Sequence, residues 1–597
     1  MLQRTKLPPS TSSDAPNPSA AVSGSERLDQ QTHAAIGRLT SSLSPIAGLL
    51  ALIDWASHLA ISPGKQFDLL RRGFDNAQRL SRYARDRAFA AASDPKARDS
   101  VAKPTDDRRF ADEDWQHWPF DLTHQAFLLT QQWWDAATRG VRGVSKHHED
   151  MVSFAARQWL DVASPGNYLL TNPVVLRRTF EQGGANLLRG AMNALDDLER
   201  LTSGAPPAGT EDFVVGRDVA ITPGKVVLKN RLIELIQYSP TTEKVHPEPI
   251  LIVPAWIMKY YILDLSPHDS LVRYLVSQGH TVFCISWKNP GSDDRDLGMD
   301  DYIDLGLRAA LDTVEAIVPG QRIHATGYCL GGTLLSIGAA AMARDGDHRL
   351  ATVTLFAAQT DFTEPGELAL FIDDSQVNLL DARMAETGYL TAAQMAGAFQ
   401  LMRSYDLLWS RIANEYLMGE RASLNDLMAW NADATRMPAR MHSEYLRRLF
   451  LHNDLAEGRY PVDGRPIAMH DVRLPVFAVG TVRDHVAPWR SAFKLHSQID
   501  SELTFVLTSG GHNAGIVSEP GRSRRNYQLL VRPADGSSLG PDEWLETAPK
   551  FEGSWWPAWK DWLQARSGAL APPPPMGLPG TRAETLPDAP GSYVLEK

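Results

Sequence analysis

The chain has 597 residues, of which 43% are hydrophobic, and its net charge at pH 7 is −11. This acidic balance argues against nucleic acid as the main partner, because phosphate groups repel carboxylates. The only cysteines are Cys284 and Cys329, which excludes a disulfide-based scaffold and favours a reducing cytoplasm.

The first 30 residues are rich in serine, proline and alanine, a composition that predicts a disordered tail. No apolar segment follows Arg4 and Lys6, so a secretory signal is not expected. The most apolar run, residues 46–61, contains Asp54 and His58 and is too short and too polar for a transmembrane segment.

Residues 31–205 show helical periodicity and predict a helical N-terminal domain. Aromatic stripes such as Phe127, Trp133 and Trp134 indicate helix packing, and the alternative is a surface that adsorbs to an apolar material. A Ser-Gly-Ala-Pro-Pro linker at 203–207 ends this domain. The predicted helices cover residues 45–59, 65–92, 122–138, 149–162 and 173–200.

The second domain, residues 206–567, begins with an antiparallel β pair at 226–228 and 231–238. Strands then alternate with helices, which predicts a doubly wound, mostly parallel sheet. The predicted strands cover 250–253, 281–285, 322–326 and 352–357, and the predicted helices cover 270–278, 302–318 and 333–344.

The alternation stops between residues 361 and 474, where the chain becomes helical and rich in Met, Trp and Tyr. An insertion between two core strands predicts a cap over the active site, and the alternative is a purely structural insertion. Two strands at 476–480 and 504–507 then close the core. Four tryptophans at 555, 556, 559 and 562 indicate core or interface, and the proline-rich residues 568–597 predict an extended coil.

The sequence Gly327-Tyr328-Cys329-Leu330-Gly331 lies between a predicted strand and a predicted helix. This is the pattern of a nucleophile elbow with cysteine in place of serine. The motif alone is also compatible with a glycine-rich turn around a buried, inert cysteine. For the other cysteine, Cys284, the surrounding apolar strand indicates such a core role. Downstream, Asp484 and His512 each follow a predicted strand, in the order nucleophile, acid, histidine. Together these features predict an α/β-hydrolase fold with a helical cap and a Cys329–His512–Asp484 triad.

In this triad His512 would act as the base and Asp484 would orient it. One oxyanion donor would be the N–H of Leu330, and the second an N–H at Trp256 in the loop after residues 250–253. A cysteine suits thioesters, because thiol–thioester exchange is nearly balanced in energy and transfer to a hydroxyl runs downhill. The same triad would equally serve a hydrolase, so spacing does not choose between transfer and hydrolysis.

Several motifs together resemble the polyhydroxyalkanoate synthases, bacterial enzymes that polymerise (R)-3-hydroxyacyl-CoA. The first is the box Gly327-Tyr328-Cys329-Leu330-Gly331-Gly332. The resemblance extends from about residue 150 to the end of the chain. The other matching segments are Asn172-Pro173, 181–187, 215–224, Lys259 to Leu265, Ser286 to Pro290, Trp430 to Thr435, Arg483 to Val486, and Gly553 to Trp556.

The resemblance implies that Cys329 is acylated, that His512 is the general base and that Asp484 is the catalytic acid. His485 and Arg403 fall where the family has residues suspected of lining the CoA route. It also implies an active homodimer at the surface of cytoplasmic polymer granules, with granule-associated proteins as further partners. CoA is released from the substrate, and neither a separate cofactor nor a metal is expected. The Tyr260-Tyr261-Ile262-Leu263 run is closer to the single-subunit short-chain class (class I), which implies 3-hydroxybutyryl-CoA as substrate.

The loop that should supply the second oxyanion donor departs from the family pattern. Here it reads Pro254-Ala255-Trp256-Ile257-Met258-Lys259, in which Trp256 and Met258 are bulkier and less polar than usual. A backbone donor would survive this change, but the shape of the pocket would differ. Two other hypotheses remain open at this point: a thioesterase or polyester hydrolase on the same triad, and a non-catalytic granule-surface protein.

Overall fold

A computed structural model describes residues 24–93, 102–402 and 404–597 of the chain. The N-terminal region is helical, as predicted. Its seven main helices are α1 (Gly24–Leu39), α2 (Pro45–Ala60), α3 (Pro63–Ser93), α4 (Phe120–Thr138), α5 (Lys146–Val162), α6 (Pro173–Glu181) and α7 (Ala185–Ser203).

Two predictions for this region are wrong. Residues 24–30 belong to α1 and are not disordered, whereas residues 1–23 lie outside the described residues. The single helix predicted over 173–200 is two helices, because Gly183 and Gly184 adopt positive φ values of 54° and 86° that end α6. Within the described residues, no single helix has the length and apolarity to cross a membrane, although α2 and the first part of α3, bent by 90°, pass that test together.

The central sheet has ten strands in the order β1-β2-β4-β3-β5-β6-β11-β12-β13-β14. The six from β4 to β12 in this order are parallel, and the two strands at each edge are antiparallel. Those that precede the cap are β1 (Gly224–Lys229), β2 (Ile233–Tyr238), β3 (Ile250–Val253), β4 (Val282–Trp287), β5 (Ile323–Tyr328) and β6 (Leu350–Phe356). Strands β3 to β6 are buried along their whole length because helices cover both faces of the sheet.

Helices connect these strands as the alternating pattern predicts. They are α8 (Leu271–Ser277), α9 (Met299–Asp301), α10 (Ala309–Ile317) and α11 (Leu330–Asp345), with a π-helical turn at Tyr302–Arg308 between α9 and α10. Helix α11 is buried from Leu330 to Met342, which explains why its sequence is small and apolar on all sides.

The insertion between β6 and the next core strand is helical, as predicted, and also contains four two-residue strands. Its helices are α12 (Asp374–Thr387), α13 (Ala392–Met402), α14 (Ser410–Ile412), α15 (Asp426–Ala432) and α16 (Ala439–Tyr445). The two-residue strands are β7 (Tyr389–Leu390), β8 (Met437–Pro438), β9 (Pro461–Val462) and β10 (Arg465–Pro466). Buried hydrogen bonds join this cap to the N-terminal helices, for example from the Ser44 N–H to Gln376 Oε1 at 2.7 Å.

The core closes with β11 (Val476–Thr481) and β12 (Leu503–Thr508), as predicted, but two further antiparallel strands follow, β13 (Asn526–Arg532) and β14 (Lys550–Glu552). The remaining helices are α17 (Trp489–Phe493), α18 (Leu495–Gln498), α19 (Pro541–Thr547) and α20 (Trp556–Gln564). The four tryptophans near α20 are buried in the core. Residues 568–597 lie against the catalytic domain, where Ala571 pairs with Val245 and both Tyr593 and Val594 are buried.

Candidate active site

Cys329 lies at the tip of a sharp turn between β5 and α11. Its φ is +52° and its ψ is −124°, a strained conformation for a non-glycine residue. The neighbouring positions must be glycine because a side chain would not fit there. A Cβ on Gly331 would lie 2.0 Å from the carbonyl oxygen of Val253, and a Cβ on Gly327 would lie 2.4 Å from the Cα of Gly332. The Gly-x-Cys-x-Gly spacing is therefore a packing requirement of this elbow.

The first turn of α11 directs unpaired backbone N–H groups at the space beside the cysteine. The N–H groups of Gly332 and Thr333 donate to the carbonyl oxygen of Cys329 at 2.9 and 3.2 Å. Those of Leu330 and Gly331 precede any intrahelical acceptor, as at every helix start. The helix dipole adds a partial positive charge at the same point. The role of the Leu330 N–H as an oxyanion donor stays a prediction.

Asp484 follows β11, and protein donors occupy both of its carboxylate oxygens. Oδ1 accepts the N–H groups of Val486 at 3.0 Å and Ala487 at 2.8 Å, while Oδ2 accepts the hydroxyl of Thr481 at 3.1 Å. Burial would raise the pKa of Asp484, but the charge and hydrogen bond of His512, with these N–H donors, lower it below its usual value. The carboxylate is therefore ionised, fully bonded and closed to solvent.

His512 follows β12, and its Nδ1 lies 2.8 Å from Asp484 Oδ2. Burial would lower the pKa of His512, but the charge of Asp484, that of the Cys329 sulfur, and hydrogen bonds to both raise it well above its usual value. The structure thus brings the three predicted triad residues together, with the imidazole between the carboxylate and the sulfur.

The cap approaches the cysteine from the side opposite the sheet. Tyr445, at the end of α16, is buried, and burial together with the charge of Cys329 raises the pKa of its hydroxyl well above its usual value. The Tyr445 ring packs against Phe450 with 5.3 Å between centroids, and Phe450 packs against Phe362 at 4.9 Å. Tyr445 thus links the aromatic residues of the cap to the neighbourhood of the cysteine, which is itself partly exposed.

The side chain of Trp256 points away from the reacting atoms. Its indole is 2% exposed and packs against Tyr302, with 4.8 Å between ring centroids, and against Trp287 at 5.8 Å. Only the backbone of Trp256 is therefore available to an oxyanion. The bulk that distinguishes this loop from the family pattern is absorbed by the hydrophobic core.

The two residues predicted on the CoA route have different outcomes. Arg403 lies outside the described residues. His485 lies in the wall of a cleft of about 570 Å³, formed by α4, α5 and residues 366–370, and including Pro488. The carbonyl oxygen of His485 accepts the N–H of Glu367 at 3.2 Å. The prediction of a CoA route at these two positions stays a prediction.

Within residues 24–93, 102–402 and 404–597, no group of three or more His, Cys, Asp or Glu side chains is arranged to bind a metal ion.

Sequence reasoning missed several residues that build the site. Thr481, Val486 and Ala487 surround Asp484, and their proximity in the sequence was the available signal. The side chains of Tyr328 and Asn513, each next to a triad residue, are also in contact. In this last case no sequence signal was available, because 185 residues separate the two partners.

Comparisons with known proteins agree over most of the chain. A model of the "Poly-beta-hydroxybutyrate polymerase (PhaC) N-terminus" matches residues 106–275, a model of the "Poly-beta-hydroxybutyrate polymerase N terminal" region matches residues 23–65, and an "alpha/beta hydrolase fold" model matches residues 248–519. The predicted fold class is confirmed by the last of these models together with the sheet.

Three curated relatives cover more than four fifths of the chain. A poly(3-hydroxyalkanoate) polymerase of Methylorubrum extorquens is 42% identical, covering 83% of this chain and 82% of its own length. The poly(3-hydroxyalkanoate) polymerase subunit PhaC of Rhizobium meliloti is 39% identical, with coverage of 83% and 82%. That of Cupriavidus necator is 35% identical, with coverage of 86% and 87%.

Proposed function

The chain belongs to the family of poly(3-hydroxyalkanoate) polymerases, enzymes here built on an α/β-hydrolase fold, and we propose that it polymerises (R)-3-hydroxyacyl-CoA through a thioester on Cys329. The observation that carries this proposal is the arrangement of the triad. The charge of the Cys329 sulfur at the elbow raises the pKa of His512, and the Nδ1 of that imidazole lies 2.8 Å from Asp484 Oδ2.

In the first step the Cys329 thiolate attacks the thioester carbonyl of the substrate. The carbonyl oxygen becomes an oxyanion beside the N–H of Leu330 and the loop at Trp256. When the intermediate collapses, the bond to the CoA sulfur breaks and His512 donates its proton to that sulfur. The products are free CoA and a hydroxyacyl group on Cys329.

In the second step the 3-hydroxyl group of another substrate or chain attacks the Cys329 thioester. His512 accepts the hydroxyl proton as the oxygen–carbon bond forms. The cysteine sulfur then leaves as the thiolate, and an ester replaces the thioester. The polyester grows by one unit, and the sulfur and the imidazolium return to their starting state.

Asp484 orients His512 in this mechanism rather than acting on the substrate. Its carboxylate oxygens accept four hydrogen bonds from the protein, one of them from His512, and its side chain is fully buried. A substrate hydroxyl would have to displace one of these donors to reach it. Asp484 also stabilises the imidazolium that the first step consumes and the second step restores.

A hydrolase would use the same three side chains with water as the acceptor. Transfer is favoured here because the relatives are polymerases and because Tyr445 of the cap, whose pKa the charge of Cys329 raises, is buried. The similarity of the Tyr260-Tyr261-Ile262-Leu263 run to the short-chain class supports 3-hydroxybutyryl-CoA as the substrate.

The decisive experiment incubates the purified protein with 3-hydroxybutyryl-CoA and analyses both products. CoA release with insoluble polyester supports the proposal, whereas CoA release with only free 3-hydroxybutyrate supports a hydrolase. Repeating the assay with longer hydroxyacyl-CoAs ranks the substrates. A Cys329→Ala variant that retains full CoA release would refute the cysteine mechanism, and a wild-type protein that releases no CoA would favour a non-catalytic surface protein.

We also propose that the enzyme works at the surface of intracellular polymer granules. Helices α2 and α3 expose apolar side chains that include Leu49, Ile53, Phe67, Leu70 and Phe74, each between 51% and 74% exposed. A growing polyester offers these side chains an apolar partner. An active homodimer and granule-associated proteins remain predictions from the family resemblance, and sedimentation analysis with and without substrate tests the dimer.

A further inference from the structure

Three hydrogen bonds join the cap to the loop that runs from the end of β3 to Lys259. The segment of the cap from Trp430 to Thr435, here called the return segment, runs along this loop. The Thr435 hydroxyl donates to the carbonyl oxygen of Trp256 at 2.6 Å, and the Thr435 N–H donates to that of Ile257 at 3.4 Å. The indole N–H of Trp430 donates to the carbonyl oxygen of Lys259 at 2.8 Å.

The groups that form these hydrogen bonds are shielded from water. Thr435 is 2% exposed, and Trp430 and Lys259 are similarly buried. A hydrogen bond in such a site is costly to lose, because the orphaned carbonyl oxygen cannot turn to solvent. The return segment is therefore suited to fixing the conformation of this loop.

Residues 593–597 contact the same loop from another direction. The ammonium group of Lys259 donates to the carbonyl oxygens of Glu596 at 2.7 Å and Tyr593 at 3.3 Å. Lys597 forms an ion pair of 2.8 Å with Asp433 of the return segment. The loop, the cap and residues 593–597 thus meet at one junction.

The bonds fix two peptide planes on either side of the Trp256 N–H. The carbonyl oxygen of Pro254 accepts the indole N–H of Trp287 at 2.8 Å, and that of Trp256 accepts the Thr435 hydroxyl. Because a peptide group is planar, fixing these two oxygens also fixes the N–H directions of the next residues, Ala255 and Ile257. The Trp256 N–H belongs to the peptide between these two fixed planes, so both of its neighbours restrict its orientation.

We propose that Thr435 is a positioning residue for the oxyanion hole, acting through the backbone of Trp256. The return segment of the cap then supplies the bond that orients the loop. This inference rests on the proposed function for the identity of the loop, but not on the choice between transfer and hydrolysis, because both reactions form an oxyanion.

The test compares Thr435→Val with Thr435→Ser. Valine has nearly the same shape and lacks the hydroxyl, and serine retains it, while both keep the backbone bond to Ile257. Each variant is assayed for CoA release from 3-hydroxybutyryl-CoA and for alkylation of Cys329 by iodoacetamide. Alkylation displaces iodide at a saturated carbon and forms no oxyanion, so it reports on the thiolate alone.

We expect Thr435→Val to lower kcat for CoA release by about 10- to 100-fold with little change in KM, since one misaligned donor weakens oxyanion stabilisation. Thr435→Ser should recover most of the rate, and alkylation should stay within about twofold of the wild type in both variants, since it needs no oxyanion stabilisation. Unchanged CoA release in Thr435→Val overturns the inference, and so does an equal loss of alkylation, which would indicate general disorder of the site.

If Thr435→Val does not fold, Thr435→Ala is read in the same way, because it also removes the hydroxyl that bonds to the Trp256 carbonyl. The proposed function fails separately. A fully active Cys329→Ala variant would refute the cysteine mechanism whatever Thr435 does, and formation of free acid alone would refute polymerisation while leaving the role of Thr435 intact.

Discussion

The hydroxyl of Tyr328, the residue before Cys329, donates a 2.6 Å hydrogen bond to the side-chain carbonyl of Asn513, the residue after His512. The Tyr328 ring also lies 5.6 Å from the His512 imidazole, tilted by 32°. The nucleophile and the base come from strands β5 and β12, which are not neighbours in the sheet. This contact joins their two loops directly.

Removing this contact should slow the reaction without abolishing it. We expect Tyr328→Phe and Asn513→Leu each to lower kcat for CoA release by about fivefold, since a hydrogen bond contributes about 1 kcal/mol. The double variant should be no slower than the single variants, because it leaves neither partner buried and unpaired. Additive losses in this double-mutant cycle would show that the two side chains act independently.

Asp484→Asn should retain the fold and lose most of the activity. The amide has the shape of the carboxylate, but it neither holds the required tautomer of His512 nor stabilises the imidazolium. We expect kcat to fall by about 10²- to 10⁴-fold. Thr481→Val, which removes one donor to the same carboxylate, should cost only a few-fold, and a similar loss in both variants would contradict the orienting role of Asp484.

His280 should make the protein sensitive to acid. Its ring is 1% exposed and stacks on His246 with 4.8 Å between centroids, and neither nitrogen has a hydrogen-bond partner among the residues that the structure describes. Burial lowers the pKa of His280 to about 3. Below the ordinary pKa of about 6.5 the unfolded chain binds a proton that the folded chain excludes, so stability falls by roughly 1.4 kcal/mol per pH unit until about pH 3.

The variant His280→Phe keeps the stacked ring and removes this titration. We expect its thermal midpoint to exceed that of the wild type at pH 5 by more than it does at pH 8, where neither state protonates the imidazole. An equal difference at both pH values would mean that packing, not protonation, is responsible. Calorimetry at the two pH values makes the comparison.

The exposed apolar side chains of α3 should bind the polymer. We expect the triple variant Phe67→Ser, Leu70→Ser, Phe74→Ser to sediment with polyester particles less than the wild type, with an unchanged initial rate of CoA release before polymer accumulates. A matched control replaces Leu188, Leu195 and Leu198 of α7, which are also exposed. Equal losses in the two triple variants would indicate non-specific adsorption.

The parts of the fold that the sequence reveals are those where burial imposes a simple pattern. Strands β3 and β4 are mostly apolar runs because both faces of the sheet are covered, and the glycines around Cys329 are forced by contacts as short as 2.0 Å. The triad was therefore readable in chain order, although the roles of its members await kinetic tests.

Other features of the fold leave no simple pattern of apolar residues in the sequence. Strands β13 and β14 form an edge of the sheet and are partly exposed, so their sequences lack an apolar run. The contacts from Thr435 to Trp256 and from Tyr328 to Asn513 join residues 179 and 185 positions apart. Such pairings depend on the whole fold, which local propensity does not encode.

The junction at Lys259 has a consequence for biosynthesis. A ribosome releases the chain from its N-terminal end, so the loop after β3 is made long before the return segment and residues 593–597 that bond to it. Nascent chains would therefore carry the nucleophile without a finished oxyanion hole. The loop would therefore reach its fully bonded conformation only after residues 593–597 have left the ribosome.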